Sequence, residues 1–440
     1  MAVQIQNLIT TQAAQGLHWQ HLCLLSGQLE ANCEALATRM PELAARVMAF
    51  SSVADWMLAI KGNQILIADL SDGVIRMRPC MLSAMAANQT LERIYPDRHY
   101  TEPLLVAGVD QGWLWEQAYS MPVSTPALPG HRPPLYFMAQ EMEDFWIALH
   151  LHDWRELLAD GRVRLMVGED VVEQFKRELA ENARVVPPKL ALTLGAPVWP
   201  EGTDLGSMVA EARLPLEREL HDLVGRYPEL YAGVTAEGVA QRLRGGEKLR
   251  VLGITSRYTT FLQYSMRDWL AAFERLGHST RLLIEDAPHE QMTGLCFARA
   301  CVDFRPDLIV LIDHYRGEYK LLPRQIPSAM WVQDRLPNIF SAAGGAAQGA
   351  NDFCLGFGRL HLSSRYGYPA DRYMTATIGV NEDRFDRSPP TVAQLERFRC
   401  DCGTRSLSSC VPFFGPRPMH LNPGRFCPWQ NRPQIPLPSD

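Results

Sequence analysis

The sequence has no long apolar run and no excess of basic residues. No stretch approaches the roughly 18 apolar residues that a membrane-spanning helix needs. No Lys or Arg precedes Arg39, so the start lacks the charged region of a secretory signal peptide. The 43 Lys and Arg residues are outnumbered by 49 Asp and Glu residues, which gives no general electrostatic reason to bind nucleic acid. We therefore expect a cytoplasmic protein with no transmembrane segment and no nucleic-acid partner.

The sequence also lacks the short motifs of several large enzyme classes. It has no Walker lysine, no G-x-S-x-G elbow for a nucleophilic serine and no H-E-x-x-H helix for zinc. His150 and His152 stand two residues apart, a spacing that puts them on different sides of a helix. We therefore expect no resident metal and no cofactor.

Short apolar runs alternate with amphipathic segments along a chain long enough to bury two or three cores. Such an alternation is typical of parallel sheets covered by helices. The predicted fold class is α/β, with two doubly wound Rossmann-like units, a helical N-terminal lead-in and an irregular Pro-rich C-terminal tail. The runs that predict strands lie at 103–108, 134–139, 163–167, 249–255, 280–284, 307–312, 328–332 and 353–356.

Shifts in composition divide the chain into five predicted parts. They are a helical lead-in at 1–50, a first α/β unit at 51–190, a Pro-rich and helical linker at 191–246, a second α/β domain at 247–387, and a short helix with an irregular tail at 388–440. Residues 401–440 contain 8 Pro and neither Lys nor Glu, and they show no apolar period that could continue a sheet. This segment is either a natural tail or the product of a reading-frame slip near Cys400.

The first unit begins with short β-like runs joined by the turn pairs Gly62-Asn63 and Asp72-Gly73, which predict a small antiparallel ribbon.

A glycine turn follows, between a predicted strand and a predicted helix. Gly108 and Gly112 bound the turn, and Asp110 lies at its centre. Turns of this kind hold phosphate on backbone N–H groups, and Glu141 after the next strand is suited to ribose hydroxyls. The charge of Asp110 opposes an anion, and an acidic residue at a helix start also interacts favourably with the helix dipole. A nucleotide site at Gly108, Gly112 and Glu141 is therefore one of two alternatives, the other being structural.

Polar residues follow three predicted strands of the second unit. Thr255, Ser256, Arg257 and Tyr258 follow the first, Asp313 and His314 the second, and Gln333 and Asp334 the third. Because the carboxyl ends of parallel strands meet at one edge, we expect these residues to line one crevice. The hydroxyls and guanidinium of the loop suit sugar hydroxyls or a phosphate, and a His beside a carboxylate suits a general base. Neighbouring strand residues point to opposite faces, however, so a structural role for His314 remains an alternative. For the loop after the first strand, the alternative is a solvated loop that binds no ligand.

Three segments in order resemble the N-terminal half of a GT-B glycosyltransferase, over about residues 247–386. LRVLGITSRYTTFLQYSMRDWLAAFERLGHSTRLL is similar to the family's first strand, acceptor loop, helix and step into the second strand. RPDLIVLIDH is similar to its PDxIHxH strand, and TIGVNEDRF to the link between its two halves.

The resemblance implies a bacterial, metal-independent transfer of a sugar from an activated donor to a hydroxyl of a protein or surface glycan. The nucleotide sugar is then a substrate, and the expected partner is a carbohydrate or glycoprotein acceptor. His314 and Asp313 become candidate catalytic residues, and the candidate acceptor-binding residues are Thr255, Ser256, Arg257, Tyr258, Gln333 and Asp334.

Residues 55–180 also resemble the motility-accessory-factor group of flagellin glycosylation proteins. The resemblance lies in LAIKGNQILIADL, in the glycine turn and in HDWRELLAD before the Val163 strand.

A GT-B enzyme binds its donor mainly through the C-terminal half, so the resemblance implies a chain that is inactive or incomplete because the donor-binding half is missing. Two other functions stay open. One is a non-catalytic acceptor-binding or scaffold protein of a glycosylation system, and the other is a nucleotide- or S-adenosylmethionine-binding enzyme centred on the first unit. The oligomeric state cannot be predicted from the sequence.

Overall fold

The computed structural model describes residues 19–61, 64–71, 76–78, 80–96, 102–123, 128–194, 204–259, 261–377 and 379. All of them belong to one compact unit, residues 1–379. The two predicted ribbon turns, the start of the lead-in, most of the link that begins at Thr377 and the predicted tail lie outside the described residues. No helix among the described residues is long and apolar enough to cross a membrane.

The described chain begins with a small antiparallel ribbon and a pair of helices. The ribbon has the order β1-β2-β3-β4 and consists of β1 (Trp19–His21), β2 (Trp56–Lys61), β3 (Gln64–Asp69) and β4 (Arg76–Arg78). Helices α1 (Ser26–Ala37) and α2 (Pro41–Ala49) are the described part of the predicted helical lead-in, and α3 (Ala84–Ile94) follows the ribbon. The lead-in is not all helical, because it also contains β1, which pairs with β2 as an edge strand of the ribbon.

The first sheet is wholly parallel, with the strand order β7-β6-β5-β8. Its strands are β5 (Leu104–Ala107), β6 (Leu135–Ala139), β7 (Val163–Val167) and β8 (Leu190–Thr193), and its connecting helices are α4 (Trp113–Ser120), α5 (Met142–Leu151), α6 (Arg155–Ala159) and α7 (Val171–Glu181). Every residue of β5 and β6 is buried, as expected for central strands that are covered on both faces.

The stretch that was predicted as a linker contributes to the first sheet and its core. Its residues 191–193 belong to β8, which pairs with β5. Three helices follow: α8 (Leu205–Gly225), α9 (Tyr227–Leu230) and α10 (Ala236–Arg244). Met208 and Ala212 of α8 pack in the same apolar cluster as Tyr136 and Phe175 of the first sheet and α7. The stretch is therefore packed structure over its described residues.

The second sheet is also wholly parallel, with the order β10-β9-β11-β12-β13-β14. Its elements are β9 (Arg250–Ile254), α11 (Leu262–Arg275), β10 (Ser279–Leu283), α12 (Gly294–Phe304), β11 (Leu308–Ile312), β12 (Ser328–Val332), α13 (Ala342–Ala346), β13 (Asp352–Gly356), α14 (Arg359–Tyr366) and β14 (Tyr373–Thr375). The two parallel sheets with covering helices confirm the predicted α/β class.

Helix α11 packs on the second sheet through a narrow apolar stripe. Leu262, Met266 and Leu270 are buried, whereas Trp269 is only partly buried at the flank of the same cluster. Gly253 of β9 makes this close approach possible, because a Cβ there would lie 2.7 Å from the sulfur of Met266.

The segment 286–291, which follows β10, contacts the first sheet. Gln291 donates its backbone N–H to the carbonyl of Arg184 at 2.9 Å. Arg164 of β7 donates to Nε2 of His289 at 3.0 Å, so this imidazole must be neutral to accept the bond. Burial, followed by the positive charge of Arg164, lowers the pKa of His289 from 6.5 to about 4.

We expect a pH-dependent loss of stability at this contact. The folded-state pKa of His289 lies below 6.5, so its contribution is complete above about pH 6.5 and is lost as the pH falls through about 4. The positive charge of Arg39 also lowers the pKa of His289, whereas the negative charges of Glu290 and Asp160 raise it. Urea unfolding at about pH 7.5 and about pH 5 measures the loss. The His289→Gln variant keeps an acceptor that does not titrate and should lose less stability than the wild type. An equal loss in both proteins would contradict the prediction.

Candidate functional site

The strand order of the second sheet reverses between β9 and β11. The chain passes from β9 to β10 on one side and then returns to β11 on the other side. In open parallel sheets this reversal leaves a crevice at the carboxyl ends of the two strands. We call this side of the sheet, where β9, β11 and β12 end, the carboxyl edge.

The structure brings the predicted residues of the second unit to the carboxyl edge. Thr255, Asp313 and Gln333 directly follow β9, β11 and β12, which are adjacent parallel strands. Three segments that are far apart in sequence therefore end side by side. Their roles in binding or catalysis stay predictions.

His314 has a carboxylate partner, but that partner is not Asp313. Nδ1 of His314 lies 2.5 Å from a carboxylate oxygen of Glu318, and the His side chain is 39% exposed. Asn338 donates to the other oxygen of Glu318 at 2.8 Å and to the backbone carbonyl of Asp313 at 3.2 Å. Sequence reasoning missed Glu318 and Asn338. The four-residue spacing between His314 and Glu318 was the available signal.

Asp313 joins the ends of two strands. It is fully buried, and its Oδ1 accepts the backbone N–H groups of Gln333 at 2.8 Å and Asp334 at 3.1 Å. Its φ of +53° lies in the left-handed region, which Asp tolerates better than most residues. Burial raises the pKa of its carboxyl group, although the two N–H donors act in the opposite direction. Asp313 thus shapes the carboxyl edge and does not pair with His314.

The loop after β9 is held by the carboxylate of Glu285, which is not among the candidate residues predicted from the sequence. Glu285, just beyond β10, accepts the backbone N–H of Arg257 at 2.9 Å and the hydroxyl of Ser256 at 3.2 Å. Arg257 also donates from its guanidinium to the carbonyl of Glu285 at 3.4 Å. The position of Glu285 after a strand at the same edge would have identified it.

Tyr258 takes part in packing between the two α/β units. Its hydroxyl donates to the carbonyl of Glu290 at 2.5 Å and lies 3.0 Å from Nδ1 of His131. Two aromatic residues at the start of α11, Phe261 and Tyr264, are instead about half exposed. They form an exposed aromatic surface next to the loop, and this surface is not among the features predicted from the sequence.

The glycine turn of the first unit is packed against the chain itself. A Cβ on Gly108 would lie 2.6 Å from the carbonyl oxygen of Leu194, and a Cβ on Gly112 would lie 2.5 Å from the ring of Trp154. Both glycines have positive φ, so the turn needs them for its backbone and for packing. Close packing therefore explains Gly108 and Gly112 without the predicted phosphate.

The contacts of Asp110 and Glu141 are also not those of a nucleotide site. The carboxylate of Asp110 is buried and accepts backbone N–H groups from Met81 at 3.1 Å and Leu82 at 2.9 Å. Glu141 is exposed after β6 and lines an open cleft of about 700 Å³ together with Arg46. The described geometry gives Glu141 no partner at the glycine turn.

The described residues form an α/β protein with two parallel sheets, and polar residues follow three adjacent strands at the carboxyl edge of the second sheet. No family model matches the chain, and no curated protein matches it. One solved structure that is similar is the MAf glycosyltransferase from Magnetospirillum magneticum AMB-1, with a TM-score of 0.32 and 12% identity. The match covers 70% of this chain and 54% of that one, so this chain spans about half the length of that protein. At this TM-score the similarity says nothing about substrate or activity.

Proposed function

We propose that the chain is a glycosyltransferase-like protein that binds a carbohydrate acceptor at the carboxyl edge of the second sheet. The sugar comes from an activated donor and is transferred to a hydroxyl of a protein or surface glycan. The proposal rests on the His314–Glu318 pair, which follows β11 at the carboxyl edge, where the strand order reverses.

The pair has the arrangement of an oriented general base. Glu318 accepts the Nδ1–H of His314, which leaves Nε2 to take a proton. In the proposed step, Nε2 takes the proton of the acceptor hydroxyl and the oxygen attacks the anomeric carbon of the donor. The bond from that carbon to the leaving oxygen breaks, and the leaving group keeps the electron pair. Glu318, held by Asn338, stabilises the imidazolium that forms.

Other groups at the carboxyl edge support a carbohydrate ligand. The loop after β9 carries the hydroxyls of Thr255 and Ser256, and its backbone is anchored by Glu285. Phe261 and Tyr264 present half-exposed aromatic rings beside it. Flat rings next to hydroxyl and carboxylate groups suit a sugar, which has apolar C–H faces and polar edges.

The test combines acceptor binding with transfer. Saturation-transfer NMR measures binding of the methyl glycosides of glucose, galactose, mannose and N-acetylglucosamine to the purified protein. Transfer to the bound glycosides is measured with UDP-, GDP- and CMP-sugars. Where the wild type transfers sugar, we expect His314→Ala to lower the rate of transfer about 100-fold, within the range of general-base contributions, while glycoside binding persists. Glu318→Gln should lower transfer less, because the imidazole remains.

His221→Ala is the matched control, since His221 is an exposed residue of α8. It should leave binding and transfer unchanged. A wild type that binds no glycoside would refute the proposal. A wild type that binds glycosides but transfers no sugar would fit both the inactive transferase that the resemblance implies and the non-catalytic acceptor-binding alternative.

A further inference from the structure

The segment 286–291 is attached to the first α/β unit through Arg184, and we call it the contact segment. The guanidinium of Arg184 donates to the carboxylates of Asp286 at 2.5 Å and Glu290 at 3.3 Å. The backbone carbonyl of Arg184 accepts the N–H of Gln291 at 2.9 Å. A single residue of the first unit therefore holds both ends of the contact segment.

The contact segment is a closed turn with a shape of its own. Asp286 donates its backbone N–H to the carboxylate of Glu290 at 2.9 Å, and Glu290 donates its own N–H to the carbonyl of Ala287 at 3.1 Å. From the first unit, Arg132 donates its backbone N–H to the carbonyl of Pro288 at 2.8 Å. The segment therefore keeps one shape, and the first unit fixes its position.

The contact segment and the residue before it also hold the loop after β9. Glu285 accepts the backbone N–H of Arg257 and the hydroxyl of Ser256. The hydroxyl of Tyr258 donates to the carbonyl of Glu290. A shift of the contact segment would therefore disturb bonds at three consecutive residues of the loop.

The first unit also contacts Tyr258 directly. Nδ1 of His131 lies 3.0 Å from the Tyr258 hydroxyl, and the two rings meet edge to face at 5.3 Å between centroids. Since Tyr258 gives its hydroxyl proton to Glu290, its oxygen accepts the Nδ1–H of His131. His131 is buried, so this contact lies inside the interface between the two units.

An ordered loop should bind the acceptor more tightly. Residues 255–259 form no helix or strand, so their order depends on contacts with other segments. A loop that is already ordered loses less conformational entropy when it binds a ligand. The hydroxyls of Thr255 and Ser256, which we propose to bind the acceptor, belong to this loop. The attachment to the first unit therefore bears on acceptor affinity.

We propose that the first α/β unit positions the loop after β9 for acceptor binding, through the contact segment and Tyr258. The inference rests on the proposed function, since it assigns control of that same site to the first unit. Tyr258 is a positioning residue in this scheme and does not itself bind the acceptor. Because such coupling is reciprocal, a bound acceptor also strengthens the contact between the units.

The first measurement is hydrogen exchange of the loop, read by mass spectrometry without any ligand. Arg184→Gln removes the charge that holds the contact segment and leaves every residue of the loop unchanged. Tyr258→Phe keeps the ring and removes the hydroxyl. We expect the backbone N–H groups of residues 255–259 to exchange about fivefold faster in both variants. Arg184→Lys keeps the charge and should restore most of the protection.

Arg299→Gln is the matched control. Arg299 of α12 forms a two-bond pair with Glu219 of α8, at 2.6 and 2.7 Å, and the two side chains are about 40% exposed. The substitution removes an arginine ion pair that does not include the contact segment. It should leave the exchange of residues 255–259 unchanged, whereas a general loosening of the fold would appear in this variant as well.

The second measurement is binding of the same methyl glycosides. We expect Arg184→Gln and Tyr258→Phe to weaken binding about fivefold, and Arg299→Gln to leave it unchanged. In a wild type that transfers sugar, Arg184→Gln should raise KM for the glycoside with little change in kcat. The reason is that the His314–Glu318 pair is not part of the loop, so the variant loses binding and not the proposed base.

Three outcomes would overturn the positioning role while leaving the proposed function intact. They are unchanged loop exchange in Arg184→Gln, faster exchange with unchanged glycoside affinity, and an equal effect in Arg299→Gln. Weaker binding in Tyr258→Phe without faster exchange would also overturn it, since Tyr258 would then contact the acceptor itself. A wild type that binds no glycoside would instead reject the proposed function, and the exchange data would still decide whether the first unit orders the loop.

Discussion

Replacing Trp115 with alanine should lower the free energy of unfolding by about 3–5 kcal/mol, as large aromatic truncations in a core do. The ring is fully buried and stacks on Phe137 at 4.6 Å and on Trp154 at 5.4 Å between centroids. Its indole N–H donates to the carbonyl of Gly108 at 2.9 Å, which fixes the glycine turn. The substitution therefore leaves a large cavity and an unpaired carbonyl. Urea unfolding measures the change.

Trp269→Ala is the matched comparison for Trp115. Trp269 lies at the partly exposed flank of α11, with Trp331 at 5.3 Å. Less apolar surface is lost and water can fill part of the gap, so we expect a cost of about 1–2 kcal/mol. Equal costs at the two positions would contradict this difference in packing. A cost below about 1 kcal/mol at Trp115 would refute its place in the core.

Breaking the Arg316–Asp352 pair should cost about 3–5 kcal/mol, because the remaining charge is left buried without its partner. The guanidinium lies 2.7 Å from the carboxylate, and the two side chains are 1% and 5% exposed. Asp352 also accepts the hydroxyl of Ser328 at 2.6 Å and the backbone N–H of Gly349 at 2.7 Å. Asp352→Asn and Arg316→Met should each destabilise the protein in urea.

The pair also bears on the candidate site, because Arg316 lies between His314 and Glu318 in the chain. Its guanidinium donates to the carbonyls of Pro323 at 3.1 Å and Ile326 at 2.5 Å, which anchors the segment that carries the proposed base. We expect Arg316→Met to weaken the His314–Glu318 contact as well as the fold. An effect on the His314–Glu318 contact is separated from an effect on the fold by working under conditions in which Arg316→Met is still folded.

An exposed ion pair provides the control for Arg316 and Asp352. Arg244 and Glu237 are 3.0 Å apart, and both side chains are about two-thirds exposed. Glu237→Gln should leave the free energy of unfolding nearly unchanged, because water solvates both charges. A similar loss of unfolding free energy for the buried and exposed pairs would show that burial does not determine the cost of breaking an ion pair.

The sequence by itself determined the class of fold and the edge at which polar residues gather. Apolar runs such as Leu249 to Ile254 have the length and spacing of buried strands, and polar residues directly after such runs emerge at strand ends. These signals are local, since they depend on residues within a few positions of one another. For the same reason they located Asp313 and Gln333 at the ends of their strands.

Only the tertiary structure decided which groups meet. Glu318 pairs with His314 at a local spacing of four residues, but Asn338, which holds the Glu318 carboxylate, lies 20 positions further along the chain, and no local pattern encodes that contact. The glycines at 108 and 112 face Leu194 and Trp154, which are remote in sequence. Such contacts depend on strand order and on the approach of distant segments. Local pattern determines which side chains turn inward, whereas the packing of the whole chain determines what each one touches.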